Sequence, residues 1–239
     1  MALKIRVFPD AEAVAQAAAE LVVYMAQAAI ESRGEFSIGL SGGNTPRPLY
    51  QLLANELLVN RIDWARVHIF FCDERCVAPA HADSNFRMAS ETLLDLVPLL
   101  PTNIHRMRGE IDPEAAATEY GQLLKARFGD GGLDLAILGM GEDGHIASLF
   151  PGSKALEEQD HRCVANYVEK LHNWRLTLTA PFLNRSQEIL VLVTGAAKAA
   201  TVREVLEGER DPKQWPIQLI DPPEGRVTWM MDAAAAEMG

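Results

Sequence analysis

The chain has 239 residues, 48% hydrophobic and 23% charged, a globular balance that suits one large α/β domain or two small ones. Its 22 Lys and Arg against 33 Asp and Glu give a net charge of −11. That balance argues against a nucleic-acid backbone or an anionic membrane as the main partner, while a few basic groups in a cleft could still hold a small anion.

Cys72, Cys76 and Cys163 are too sparse for a disulfide framework, and Cys72 and Cys76 lack the second pair of a zinc site, so all three read as free thiols. The opening MALKIRVFPD has no signal-peptide h-region or cleavage site. Residues 13–30 are apolar but interrupted by Gln16, Glu20 and Gln27, so no membrane span is expected. The expectation is a soluble cytoplasmic protein, monomeric or homodimeric, with residues 1–239 as a single domain.

In chain order, Lys4–Phe8 reads as a strand and Ala11–Arg33 as a helix, with Val14, Ala18, Leu21, Met25 and Ala28 on one face and Gly34 as its stop. Phe36–Leu40 is a second strand, and SGGNTP leads into a helix over Pro46–Leu58. Val67–Cys72 reads as a strand that is apolar apart from His68, as expected where both faces of a parallel strand are covered. Asp83-Ser84 caps a helix over 85–96, and Asp112 opens another over Pro113–Phe128. Leu133–Leu138 is again apolar, apart from Asp134. Further strands are expected at Arg162–Val168, Leu176–Thr179, Ile189–Val193 and Val227–Met231, with a helix over Ala196–Leu206 and a surface loop over Asp211–Pro223. The alternation predicts an α/β fold with a parallel, doubly wound sheet.

In such a sheet, ligands bind outside the carboxyl ends of the strands. Ser41–Pro46, Asp73–Val77 and Gly139–His145 all follow apolar strands and are expected to face one crevice. In the first, Gly42 and Gly43 let backbone N–H groups approach an anion, Thr45 can cap the next helix and Pro46 suits its first position. A plain strand-to-helix turn would have the same residues. In the second, Asp73, Glu74 and Arg75 are a cluster that would be solvated on a surface but is held at the crevice here, with Arg75 as an anion fork. The third, GMGEDGHIASLFPG, is the most specific. It presents His145 two residues from Asp143, a carboxylate able to hold the imidazole tautomer that a general base needs. His68, His81, His105, His161 and His172 read as structural. Arg175 and Lys198 add positive charge, and Lys198 at a helix start opposes the dipole unless an anion binds nearby.

Taken together, SGGNTPRPLY, FFCDERCV, SNFRMASETLL, LDLAILGMGEDGHIASLFPGS and VLVTGAAKA resemble, in that order, the 6-phosphogluconolactonase family within the glucosamine-6-phosphate deaminase/isomerase superfamily. The resemblance implies a three-layer, Rossmann-like, mostly parallel fold, no metal and no nucleotide cofactor. It implies hydrolysis of 6-phospho-D-glucono-1,5-lactone in the oxidative pentose phosphate pathway, with a sugar phosphate as the small-molecule partner. Carried over by position, it makes His145 the catalytic base with Asp143 beside it. Substrate and phosphate contacts fall on Ser41, Gly42, Gly43, Thr45, Asp73, Arg75, Arg175 and Lys198. Where deaminases resemble Asp-Gly-His-Ile-Ala-Phe-Asn-Glu-Pro, this chain has Phe150 in the glutamate's place, and a phenyl ring cannot transfer a proton. The rival readings are an isomerase or deaminase with Asp73 as carbon-acid base, a sugar-phosphate-binding regulator, and a metal-dependent hydrolase using Asp73, Glu74, Asp143 and His145.

Overall fold

The computed structural model describes residues 2–237. Strand β1 (Ala2–Phe8) leads to α1 (Ala11–Arg33), whose start is capped by Asp10 accepting from the Ala13 N–H at 2.8 Å. The helix ends at Gly34 in the left-handed region, φ 84°. By length and composition α1 could cross a membrane, but Val14, Ala15, Ala18, Ala19, Val22, Val23, Ala26 and Ala29 are buried and it packs against strands of the sheet.

Next come β2 (Phe36–Leu40), α2 (Arg47–Leu53), β3 (Val67–Phe71) and β4 (Asp73–Arg75). They are followed by α3 (Asn85–Ala89), which a π-turn extends over Ser90–Leu94, then α4 (Pro113–Phe128) and β5 (Leu135–Gly139). The chain continues through β6 (Cys163–Val168), β7 (Asn173–Leu178), α5 (Ala180–Leu183), β8 (Glu188–Val193), α6 (Ala199–Glu207), β9 (Arg226–Asp232) and α7 (Ala233–Ala236).

Among the described residues six strands form a parallel sheet in the order β1-β9-β8-β5-β2-β3. Every residue of β2 and β8 is buried, so both faces of the sheet centre are covered, which is why those segments are mostly apolar. β2 and β5 are neighbours, yet β2 leads outward to β3 while β5 pairs with β8 on its other side. Their carboxyl ends therefore flank a switch point, where a crevice opens.

Three expectations need correction. First, Arg162–Val168 and Leu176–Thr179 are not part of the parallel sheet. β6 and β7 form an antiparallel hairpin that pairs with β4 in a separate three-stranded sheet. Only residues 169–172 connect them, too short for the crossover that a parallel pair requires. Second, Asp73–Arg75 is a strand rather than a loop. Cys72 is the junction, its N–H bonded to Leu40 O at 2.8 Å and its carbonyl accepting from Leu178 N at 2.8 Å, so one residue belongs to both sheets. Third, the helix after SGGNTP stops at Leu53 instead of Leu58, because the Asn55 side chain accepts from Leu57 N and Leu58 N, each at 3.0 Å, and turns the chain.

Candidate active site

Loops after β2 and β5, strand β4 and the turn before α6 enclose a cavity of about 340 Å³. Ser41, Gly42, Gly43, Thr45, Asp73, Arg75, His145 and Lys198, all expected from the sequence, line it. Asp143 and Arg175 lie outside its wall. Asp143 contacts His145, and Arg175 is directly opposite Arg75 in the β4–β7 ladder.

The first loop is fastened to the sheet from within. The buried Tyr50 hydroxyl donates to Ser41 O at 2.9 Å and accepts from Ser41 N at 3.1 Å, while the Ser41 hydroxyl donates to Ile137 O at 2.8 Å. Ser41 thus ties β2 to β5 at the cavity floor. A Cβ on Gly42 would fall 1.7 Å from Asn85 Oδ1, so only glycine lets this loop reach α3. Thr45 does not cap α2, which has no side-chain cap. Its hydroxyl faces Thr194 Oγ1 at 3.4 Å across the cavity rim, because Pro46 occupies the cap position.

The second cluster divides. Glu74 turns away from the cavity and caps α3, accepting from Asn85 N at 2.7 Å, Phe86 N at 2.8 Å and the Ser84 hydroxyl at 3.0 Å. Burial pushes its carboxyl pKa up while these donors pull it down. Asp73 stays at the cavity, accepting from Ser148 Oγ at 2.7 Å on one oxygen and from Asn85 Nδ2 at 3.0 Å on the other. Asn85 Oδ1 is buried without a hydrogen-bond partner. Arg75 donates to the Asp83 carbonyl at 2.5 Å. Burial lowers the pKa of both Arg175 and Lys198, and Arg75 lowers that of Arg175 further.

In the third loop His145 Nδ1 lies 2.5 Å from Asp143 Oδ1. A Cβ on Gly141 would fall 2.0 Å from that nitrogen and 2.6 Å from the carboxylate oxygen, so glycine there makes the pair possible. The loop is folded back by Gly141 N to His145 O at 2.9 Å, and Ala147 takes the left-handed conformation, φ 45°, sparsely populated for a residue with a Cβ. Burial lowers the His145 pKa to about 4; Asp73 opposes this, and Lys198, Arg175 and Arg75 reinforce it. The imidazole is therefore neutral at physiological pH, and the Nδ1 contact to a carboxylate assigns the proton to Nδ1 and the lone pair to Nε2.

Phe150, absent from the sequence-derived site, stacks on the His145 ring with centroids 4.2 Å apart and planes 23° apart. Ser148, Asn85 and Lys170, whose amino group pairs with Asp143 Oδ2, were also missed. Lys170 is 27 positions from its partner and shows no motif; Ser148 lies inside the recognised stretch but resembles an ordinary core-facing position, and Phe150 was read only as the residue in the deaminase glutamate's place.

Comparison with known proteins is consistent across the chain. Residues 9–229 match the family model described as glucosamine-6-phosphate isomerases/6-phosphogluconolactonase. A 6-phosphogluconolactonase of Synechocystis sp. is 41% identical over 215 residues, covering 87% of each protein. One of Nostoc sp. is 36% identical over 237 residues, covering 97% of this chain and 96% of its own. The crystal structure of 6-phosphogluconolactonase from Thermotoga maritima superposes with a TM-score of 0.84 at 27% identity, covering 96% of this chain and 99% of that one.

Proposed function

The chain belongs to the glucosamine-6-phosphate isomerase/6-phosphogluconolactonase family, and we propose that its own reaction is hydrolysis of 6-phospho-D-glucono-1,5-lactone to 6-phospho-D-gluconate, with His145 as the base. The observation that carries this reading is the imidazole held at Nδ1 by Asp143 on the wall of a cavity that also holds Arg75 and Lys198. A δ-lactone is an activated ester. Its hydrolysis needs positioning and one proton-transfer group rather than a covalent triad.

In the mechanism, Arg75, Lys198 and the Gly42–Thr45 backbone hold the 6-phosphate, with Arg175 adding charge behind Arg75. His145 Nε2 takes a proton from water as the water oxygen bonds to C1. When the C1 to ring-oxygen bond breaks, the imidazolium returns that proton to the ring oxygen, leaving the carboxylic acid and an alcohol. Asp143 orients the ring and stabilises the transient imidazolium.

The deaminase reading is disfavoured by Phe150, which offers no proton where ring opening would need one and packs on His145 instead. The reaction belongs to the oxidative pentose phosphate pathway by the identity of its substrate. The test is direct comparison of freshly generated 6-phosphogluconolactone with glucosamine 6-phosphate, with and without EDTA. Lactone hydrolysis insensitive to chelation, with no ammonia release, is expected. Ammonia release, or activity lost in EDTA and restored by a divalent metal, refutes the reading.

A further inference from the structure

The turn between β6 and β7 carries Lys170, whose amino group closes a ring of contacts around the candidate base. It pairs with Asp143 Oδ2, while Asp143 Oδ1 is the oxygen 2.5 Å from His145 Nδ1. The same amino group lies 4.9 Å from the centroid of the Phe150 ring, and Phe150 stacks on His145 at 4.2 Å. Lysine, carboxylate, imidazole and phenyl ring thus form a closed circuit from two different sheets of the molecule.

The hairpin that delivers Lys170 is built to hold it. Tyr167 and Trp174 are directly paired across the strands and pack edge-to-face, centroids 5.4 Å apart, next to the turn. Leu171 precedes His172, which takes the left-handed conformation, φ 47°, and closes the turn back onto β7.

We propose that Lys170 is a positioning residue for the hydrolysis, fixing the Asp143 carboxylate so that one oxygen addresses the imidazole, and drawing off part of the charge that would otherwise favour the imidazolium. The proposal rests on His145 being the base. A carboxylate free to rotate can present either oxygen, or neither, to Nδ1. Pairing its second oxygen removes that freedom, and the cation beside the phenyl ring keeps the stacking platform covered. Lys170 does not line the substrate cavity, so its effect on phosphate binding is small.

The other charged groups acting on His145 are Asp73 and Arg75 on β4, Arg175 on β7 and Lys198 before α6. Removal of Lys170 therefore acts on His145 through its two contacts, the Asp143 carboxylate and the Phe150 ring. Because the lysine side chain is half exposed, solvent screens its ion pair and its influence on the imidazole is modest. Without it the carboxylate acts on the imidazole undivided, the imidazolium is favoured, and the His145 pKa rises.

Lys170→Ala and Lys170→Arg, compared with the native enzyme, test this. The expected result for Lys170→Ala is kcat lowered roughly two- to fivefold with KM unchanged, and the acid limb of kcat/KM moved up by about half a pH unit. Lys170→Arg restores both. NMR titration of the His145 ring, assigned with His145→Gln, should show the same upward move in the free enzyme. That readout needs no turnover, so it separates failure of the lysine's role from failure of the base assignment. A Lys170→Ala enzyme with native kcat and an unmoved His145 titration overturns the proposal. So does a rise in KM alone, which would make Lys170 a substrate contact.

Discussion

Arg75 and Arg175 are directly opposed residues of one antiparallel ladder, so two guanidinium-bearing side chains meet across β4 and β7 beside the cavity. Like charges in that relation destabilise a sheet unless an anion lies between or beside them. Arg175 Nη1 is buried without a hydrogen-bond partner, and Arg75 uses one nitrogen on a backbone carbonyl, Asp83 O. Under the proposed function, a phosphate bound beside the pair would offset that cost.

Substitution at this pair should separate stability from binding. Arg175→Met is expected to leave the unliganded Tm unchanged or raised, since repulsion of roughly 0.2–1 kcal/mol is removed. Arg75→Ala should weaken substrate binding by about 1.5–3 kcal/mol, the range for charge-assisted contacts, read as a raised KM. Non-phosphorylated gluconolactone should be a poor substrate. If the native enzyme hydrolyses both lactones with similar kcat/KM, the arginines do not serve a phosphate.

For His145, replacement by Ala should lower kcat by roughly 10²–10⁴-fold while the fold persists. His145→Gln should be nearly as damaged, since an amide cannot usefully accept the proton. A folded His145→Ala enzyme with near-native kcat would assign the proton transfer elsewhere, with Asp73 the next carboxylate to test.

The pH profile follows from the same burial. Below its pKa the imidazole is protonated and cannot accept from water, so activity falls as pH falls through that value. Because the pKa is lowered to about 4, the acid limb of kcat/KM should lie well below the ordinary histidine value of 6.5. Rates corrected for spontaneous hydrolysis, with circular dichroism recorded at each pH, give the limb directly. A limb at 6.5 or above would mean that Asp143 dominates over desolvation.

Gly141 offers a steric test of the dyad that leaves every ionisable group in place. In Gly141→Ala the new methyl would overlap His145 Nδ1 and Asp143 Oδ1, so the imidazole must rotate away. Loss of kcat of at least about tenfold with native circular dichroism is expected. An unimpaired variant would show that the 2.5 Å contact is dispensable.

The linear pattern alone carried the parallel sheet, because a strand covered on both faces must be largely apolar, as Leu135–Leu138 and Ile189–Val193 are. It also carried the strand-end loops after β2 and β5, since glycines and charges directly after such runs have few other places to go, and the Asp143–His145 spacing is local enough to read directly. What only the tertiary structure decided depends on contacts between distant segments. A tripeptide such as Asp73–Arg75 has no periodicity to mark it as a strand, and its pairing with β7 was invisible until residues some hundred positions apart met. Glu74 and Asp73 are adjacent acids in the sequence, yet alternation along β4 sends one to cap α3 and leaves the other at the cavity. Lys170 reaches Asp143 only because the β6–β7 hairpin folds over the β5 loop. A side chain's chemistry is local, but its partner is chosen by packing, and packing is settled by the whole chain at once.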